Sequence, residues 1–140
     1  MTFNVLVVDD SVTMRAIIKK ILTLTQLPLD NVWEGQNGWD GLQILRSHRV
    51  DLVLADLNMP DMTGTEMIDE MKADPRLARV PVVVVSSEAD PAITENLAQK
   101  GVLDVIRKPF TAHLLRDVIV KTLGNKWGMT EAGTPEADLG

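Results

Sequence analysis

Cysteine is absent from the 140 residues, which excludes a disulfide framework and any thiolate site. Long apolar runs are absent too: Val82–Val85 is typical, far short of the ~18 residues of a membrane span. No basic stretch precedes the strand-like Val5-Leu6-Val7-Val8 near the N-terminus, so no secretion signal is expected and the cytoplasm is the expected location. Clusters of Lys and Arg are missing as well. With 14 basic residues against 20 acidic ones the net charge is -6. Neither nucleic acid nor a membrane is an expected partner, since affinity for phosphate backbones comes from basic residues. A single domain of this length can bury roughly 70% of its unfolded surface without staples.

What is present is punctuation and period. Short apolar runs at Val5–Val8, Leu52–Ala55, Val82–Val85 and Val105-Ile106 read as strands buried on both faces. Between them Met14, Ile17, Ile18, Ile21 and Leu22 follow helical spacing, as do Leu114, Leu115, Val118 and Ile119. Thr63 with Glu66 forms a capping-box signature ahead of Met67, Ile68 and Met71, and Asp90-Pro91 opens a helix that ends at Gly101. The less distinct elements are a strand at Val32–Glu34, after a turn at Pro28–Asn31, and a helix from about Trp39 to Ser47. Five strands alternating with five helices predict an α/β fold, a parallel sheet covered on both faces. The domain is expected to span residues 1–124. Residues 125–140 hold three glycines, one proline and three acids, and read as a flexible acidic tail, with Trp127 patching the end of the last helix. That tail is too short for an effector module, so output through protein contact by a monomer is expected.

Ligands of open α/β sheets bind beyond the carboxyl ends of the strands. Asp9-Asp10, Asp56, Ser86-Ser87 and Arg107-Lys108-Pro109 all follow strand runs. Three crowded carboxylates repel one another unless a cation joins them. Mg²⁺ suits such a set, being held by one or two carboxylates plus a phosphate. Ser86 and Lys108 have no role in a bare carboxylate site but fit phosphoryl oxygens. A carboxylate is also a competent nucleophile toward phosphorus. Asp56 is the expected nucleophile, because it ends a central strand and precedes the Leu57–Gly64 loop, where the Asn58 carbonyl could complete the metal shell. Met59 and Met62 in that loop are candidate contact residues, though core filling is the blander reading. His48 and His113 lack ligand spacing and read as surface histidines; Trp33 and Trp39 read as packing residues.

Asp9-Asp10-Ser11 after the first strand, Asp56 followed by Met59-Pro60 and Gly64, Ser86, and Lys108-Pro109-Phe110 together resemble the receiver domain of two-component response regulators. The likeness spans residues 4–124 and is closest to stand-alone CheY-like chemotaxis regulators. It implies the flavodoxin-like, doubly wound strand order 2-1-3-4-5. It implies phosphotransfer to Asp56 from a histidine kinase (CheA-like), with Asp9, Asp10, Asp56 and the Asn58 carbonyl as Mg²⁺ ligands. Ser86 and Lys108 would hold the phosphoryl group, and the Lys108–Pro109 bond would be cis. Asn58 and Glu88 would tune hydrolysis. Beyond self-catalysed phosphorylation and dephosphorylation of its own aspartate, no enzyme activity is implied. The downstream target would be a flagellar switch protein in chemotaxis, or a histidine phosphotransfer protein in a phosphorelay. One departure stands out: the family usually places an aromatic switch residue three positions before the lysine, and this chain has Val105. A flavodoxin-like binder is disfavoured because Asp9-Asp10 would repel a cofactor phosphate. An aspartate-nucleophile phosphatase would carry a second Asp at the position of Ser11. A receiver-like interaction module that is never phosphorylated would leave the acidic set without a purpose.

Overall fold

A computed structural model describes residues 2–87 and 90–127, the last three as backbone only. Five strands, β1 (Phe3–Val8), β2 (Leu29–Gly35), β3 (Leu52–Ala55), β4 (Val82–Ser86) and β5 (Asp104–Arg107), alternate with five helices. The helices are α1 (Val12–Leu24), α2 (Gly38–Ser47), α3 (Gly64–Ala73), α4 (Pro91–Gln99) and α5 (Ala112–Trp127). All strand pairings are parallel, in the order β2-β1-β3-β4-β5. The expected architecture is therefore present.

Successive strand residues face opposite layers, and both layers are apolar, which is why the central strands are unbroken aliphatic runs. On one side Val5, Val7, Leu54, Val83 and Val85 pack with Ile18 and Leu22 of α1 and with Leu115 and Ile119 of α5. On the other, Leu6, Val8, Val53 and Val84 pack with Leu42 of α2, Met67, Ile68 and Met71 of α3, and Leu97 of α4. Met67 and Met71 are core fillers as expected, and Met14 lies partly buried at the margin of the first layer.

Local chemistry starts the helices where the strands end. Ser11 Oγ accepts from the Met14 amide at 3.1 Å, and Asn37 Oδ1 from the Asp40 amide at 2.9 Å. Thr63 and Glu66 complete the expected capping box, each side chain accepting the other's amide at 3.1 Å. Asp90 caps α4 by accepting from Ala92, with Pro91 in the first turn. Each cap satisfies an amide the helix itself leaves unpaired. All four caps lie at the carboxyl edge of the sheet.

Several expectations need correction. Pro28–Asn31 is not a turn: Leu29 already pairs with Phe3, and a register shift between Phe3 and Val5 absorbs the extra residue, so β2 begins three residues early. Helix α5 runs to Trp127, three residues into the segment read as tail. Gly124 is buried, and packing there offsets the cost of roughly 1 kcal/mol that glycine carries in a helix. The rest of the expected tail lies outside the described residues. Trp39 is not a packing residue; it is 55% exposed near the start of α2. Leu114 and Ile17 point outward despite their helical spacing. Met59 and Met62 are buried in the second layer, which bears out core filling over the contact role. Trp33 packs as expected, with its ring stacked on His48 at 4.1 Å between centroids, and His48 itself is exposed. His113 is a surface histidine, 3.3 Å from Asp117 one turn on.

Candidate acidic site at the sheet edge

Register places the chemistry. Val8 is level with Ala55, so the next residues, Asp9 and Asp56, leave neighbouring strands side by side. The Asp9 amide donates to the Gly35 carbonyl at 3.0 Å and the Asp56 amide to Val8 at 2.9 Å, extending the ladder past the last paired residues. Ser86 is the last residue of β4 and is fully buried; its carbonyl accepts from the Lys108 amide at 2.9 Å. The Lys108–Pro109 bond is cis, as the resemblance implied.

Asp9, Asp10 and Asp56 each offer a carboxylate oxygen within 4.8 Å of the others. Asp9 is buried, Asp10 exposed and Asp56 between the two. One Asp9 oxygen accepts from the Ser11 amide at 2.9 Å; the other accepts from Lys108 Nζ at 2.8 Å. Asp56 is held similarly, by the Leu57 amide at 2.7 Å and by Lys108 Nζ at 3.2 Å. The ammonium thus sits between two carboxylates, with a side chain only 13% exposed. Burial works against its charge, but the hydrogen bond to Asp9 and the charges of Asp56 and Asp9 outweigh burial and hold its pKa above the ordinary lysine range.

The acceptor loop is tied down on its far side. Gly38 donates to the Met62 carbonyl at 3.0 Å and Asn37 Nδ2 to Asp61 at 3.3 Å, while Asp61 takes the left-handed conformation, φ 67°. The Gly64 amide closes the loop on Leu57 at 2.9 Å, and a Cβ at Gly64 would fall on the Asp56 carbonyl, so only glycine fits. Asn58 is exposed and lines a cavity of about 370 Å³ between this loop and α4, with Leu57, Ile93 and Leu97. Val105 is half-buried on β5, level with Val84 and against the second layer. Glu88 lies outside the described residues.

Of the residues singled out from sequence, Asp9, Asp10, Asp56 and Lys108 come together directly. Ser86 stands at the same edge, and Asn58 borders it. One neighbour was not anticipated. Arg15 of α1 donates from Nη1 to the Asp9 carbonyl at 2.6 Å and from Nε to Glu34 at 3.1 Å. Glu34 also accepts from Lys19 at 3.1 Å. That hydrogen bond, with help from Arg15 and against a smaller desolvation cost, holds the Glu34 carboxyl below the usual glutamate range.

A parallel sheet in this order here carries three acids and a lysine together at its carboxyl edge. The response regulator receiver domain model matches residues 5–120, and the chain belongs to that family. It is 40% identical over 118 residues to the chemotaxis protein CheY of Pseudomonas aeruginosa, covering 84% of this chain and 94% of that one. It is 36% identical over 126 residues to a CheY homolog of Campylobacter jejuni, covering 89% and 95%. Among solved structures it is similar to the chemotaxis response regulator CheY4 of Vibrio cholerae, with TM-score 0.73 and 25% identity over 89% of this chain and 98% of that one. The signal receiver domain of a LuxO repressor protein from Vibrio parahaemolyticus gives TM-score 0.80 at 25% identity, over 89% and 92%. Members of the family accept phosphate from histidine kinases, generally bind Mg²⁺ in an acidic pocket and act on a downstream target. The cluster here fits that ion: its donors are hard carboxylate oxygens from the ends of β1 and β3, one of them exposed to solvent. Among the described residues no helix is long and apolar enough to cross a membrane.

Proposed function

We propose that this chain is a response regulator phosphorylated on Asp56 and signalling in chemotaxis through phosphorylation-dependent protein contact. The observation that carries the reading is the meeting of Asp9, Asp10 and Asp56 within 4.8 Å, with Lys108 Nζ bridging two of them. A carboxylate oxygen of Asp56 attacks the phosphorus of a kinase phosphohistidine; the P–N bond breaks, and the imidazole nitrogen keeps the electron pair and takes a proton. Asp9, Asp10, Asp56 and the Asn58 carbonyl would hold the metal, and a bound Mg²⁺ supplies charge neutralisation for the phosphoryl oxygens. Lys108 balances charge on a further oxygen, and the Ser86 hydroxyl bonds another once β4 and its following loop adjust. Hydrolysis by water then returns Asp56 to a free carboxylate, with Asn58 and Glu88 at the positions that set the access of that water.

The donor is a CheA-like histidine kinase, and the target is a flagellar switch protein. The signal reaches α4 through the cavity that Leu57 and Asn58 share with Ile93 and Leu97. A second reading, passage of phosphate to a histidine phosphotransfer protein, is favoured by one observation: Val105 has no ring to rotate, whereas onward transfer needs only the acidic edge. In either case the working domain extends to the end of α5 at Trp127.

Incubation with acetyl phosphate and Mg²⁺ is expected to add one phosphoryl group, mapped by mass spectrometry to the peptide containing Asp56, and chelation of Mg²⁺ is expected to prevent it. An unmodified Asp56 peptide under these conditions would leave only an interaction module without phosphorylation.

A further inference from the structure

We propose that Arg15 is a positioning residue for the metal site, clamping the turn that carries Asp9 and Asp10 to β2 through Glu34. The inference rests on the reading of the acidic edge as a Mg²⁺ site and goes beyond it, because Arg15 touches no carboxylate of that site.

The geometry is specific. Arg15 lies on the first turns of α1 with its side chain only 12% exposed, although its charge could be solvated at the surface. Its Nη1 donates to the backbone carbonyl of Asp9 at 2.6 Å, and its Nε reaches Glu34 on the neighbouring strand at 3.1 Å. One planar guanidinium therefore spans helix, turn and strand through two donors set apart in a rigid fork. The Asp9 carbonyl belongs to the peptide that joins Asp9 to Asp10, so the contact fixes the base of both side chains. Asp9 Oδ1 is in turn held by the Ser11 amide at 2.9 Å, two residues along the same turn. Removing a group that holds a ligand residue typically costs roughly 10- to 100-fold in metal affinity.

Charge alone predicts the opposite outcome. Removing a cation near a Mg²⁺ site should tighten metal binding by lowering repulsion, whereas loss of the clamp should weaken it. Lys19→Gln supplies the matched control: it removes the same charge from the same Glu34 carboxylate without losing a bond to Asp9.

The test is Mg²⁺ titration followed by amide NMR on the parent, Arg15→Gln and Lys19→Gln, together with hydrogen exchange at the Ser11 amide without metal. Arg15→Gln is expected to bind Mg²⁺ roughly tenfold more weakly and to exchange faster at Ser11. Lys19→Gln should stay within about twofold of the parent, as expected of an exposed charge. Equal or tighter Mg²⁺ binding by Arg15→Gln, unchanged Ser11 exchange, or equal weakening in both variants overturns the proposal. Should Arg15→Gln not fold, Arg15→Lys carries the same test: it keeps the charge but loses the two separated donors Nε and Nη1, so weakened Mg²⁺ binding supports the clamp and parent-like binding overturns it. A parent that binds no Mg²⁺ would instead defeat the reading of the site.

Discussion

Asp56→Asn is expected to abolish the response to beryllofluoride and Mg²⁺. In the unmodified protein that mixture should shift amide NMR signals from Ser86 to Lys108, because beryllofluoride on Asp56 places acceptor fluorines where phosphoryl oxygens would lie, within reach of both side chains. The amide oxygen of Asn is a poor nucleophile and a poor partner for beryllium, so no shift should remain. Unfolding cannot account for such a loss. The substitution keeps the volume of the side chain and removes one of three mutually repelling charges, so the variant should be at least as stable as the parent without metal. Preserved shifts in Asp56→Asn would move the acceptor elsewhere.

Lys108→Ala should separate two roles of one ammonium. In the absence of metal it bonds both the Asp9 and the Asp56 carboxylates, at 2.8 and 3.2 Å. Asp9 is 2% exposed, so water cannot fully replace that partner. Stability without Mg²⁺ is expected to fall by about 1–3 kcal/mol, below the full cost of orphaning a buried charge because Asp10 and Asp56 reach solvent. Mg²⁺ should restore most of it, and stabilise the variant more than the parent, because the metal no longer competes with an ammonium. Phosphorylation by acetyl phosphate should nevertheless stay about 100- to 1,000-fold slower, as for loss of one preorganised group facing developing charge. Urea midpoints with and without Mg²⁺ measure the first effect, and mass spectrometry over time the second. Parent-like stability and rate would show that Lys108 is only a surface neighbour of the acids.

The parts of the structure legible in sequence are those where composition has one physical meaning. Val5–Val8, Leu52–Ala55 and Val82–Val85 are aliphatic because both faces of the central strands are buried, and no other arrangement of this chain would need that. Thr63–Glu66 and Asp90-Pro91 announce helix starts because their side chains satisfy local amides. β2 was harder: it is an edge strand with Asp30, Asn31 and Glu34 exposed, so the solvated half of its pattern reads as a turn. The end of α5 was hidden because the composition shifts after Gly124, although the helix continues to Trp127. Trp39 and Leu114 carry apolar side chains into solvent, which spacing alone cannot reveal.

At the site, position after a strand narrowed the choice to Asp9-Asp10, Asp56, Ser86-Ser87 and Arg107-Lys108-Pro109, since a parallel sheet carries every strand end to one edge; the fit of a hydroxyl and an ammonium to phosphoryl oxygens, with the family resemblance, singled out Ser86 and Lys108. Lys108 lies 99 residues from Asp9; the topology, not the spacing, joins them. Arg15 escaped notice because its partners are a backbone carbonyl and a side chain 19 residues away. An arginine four residues after the helix cap, facing back toward the acid doublet, was the one available signal.

A crystal structure with Mg²⁺ and beryllofluoride bound tests the central claim most directly. One cation should be ligated by carboxylate oxygens of Asp9, Asp10 and Asp56 and by the Asn58 carbonyl, with beryllium on Asp56 and fluorines facing Ser86 and Lys108. A cation seated away from these three acids, or an Asp56 left bare while beryllofluoride binds elsewhere, would contradict it.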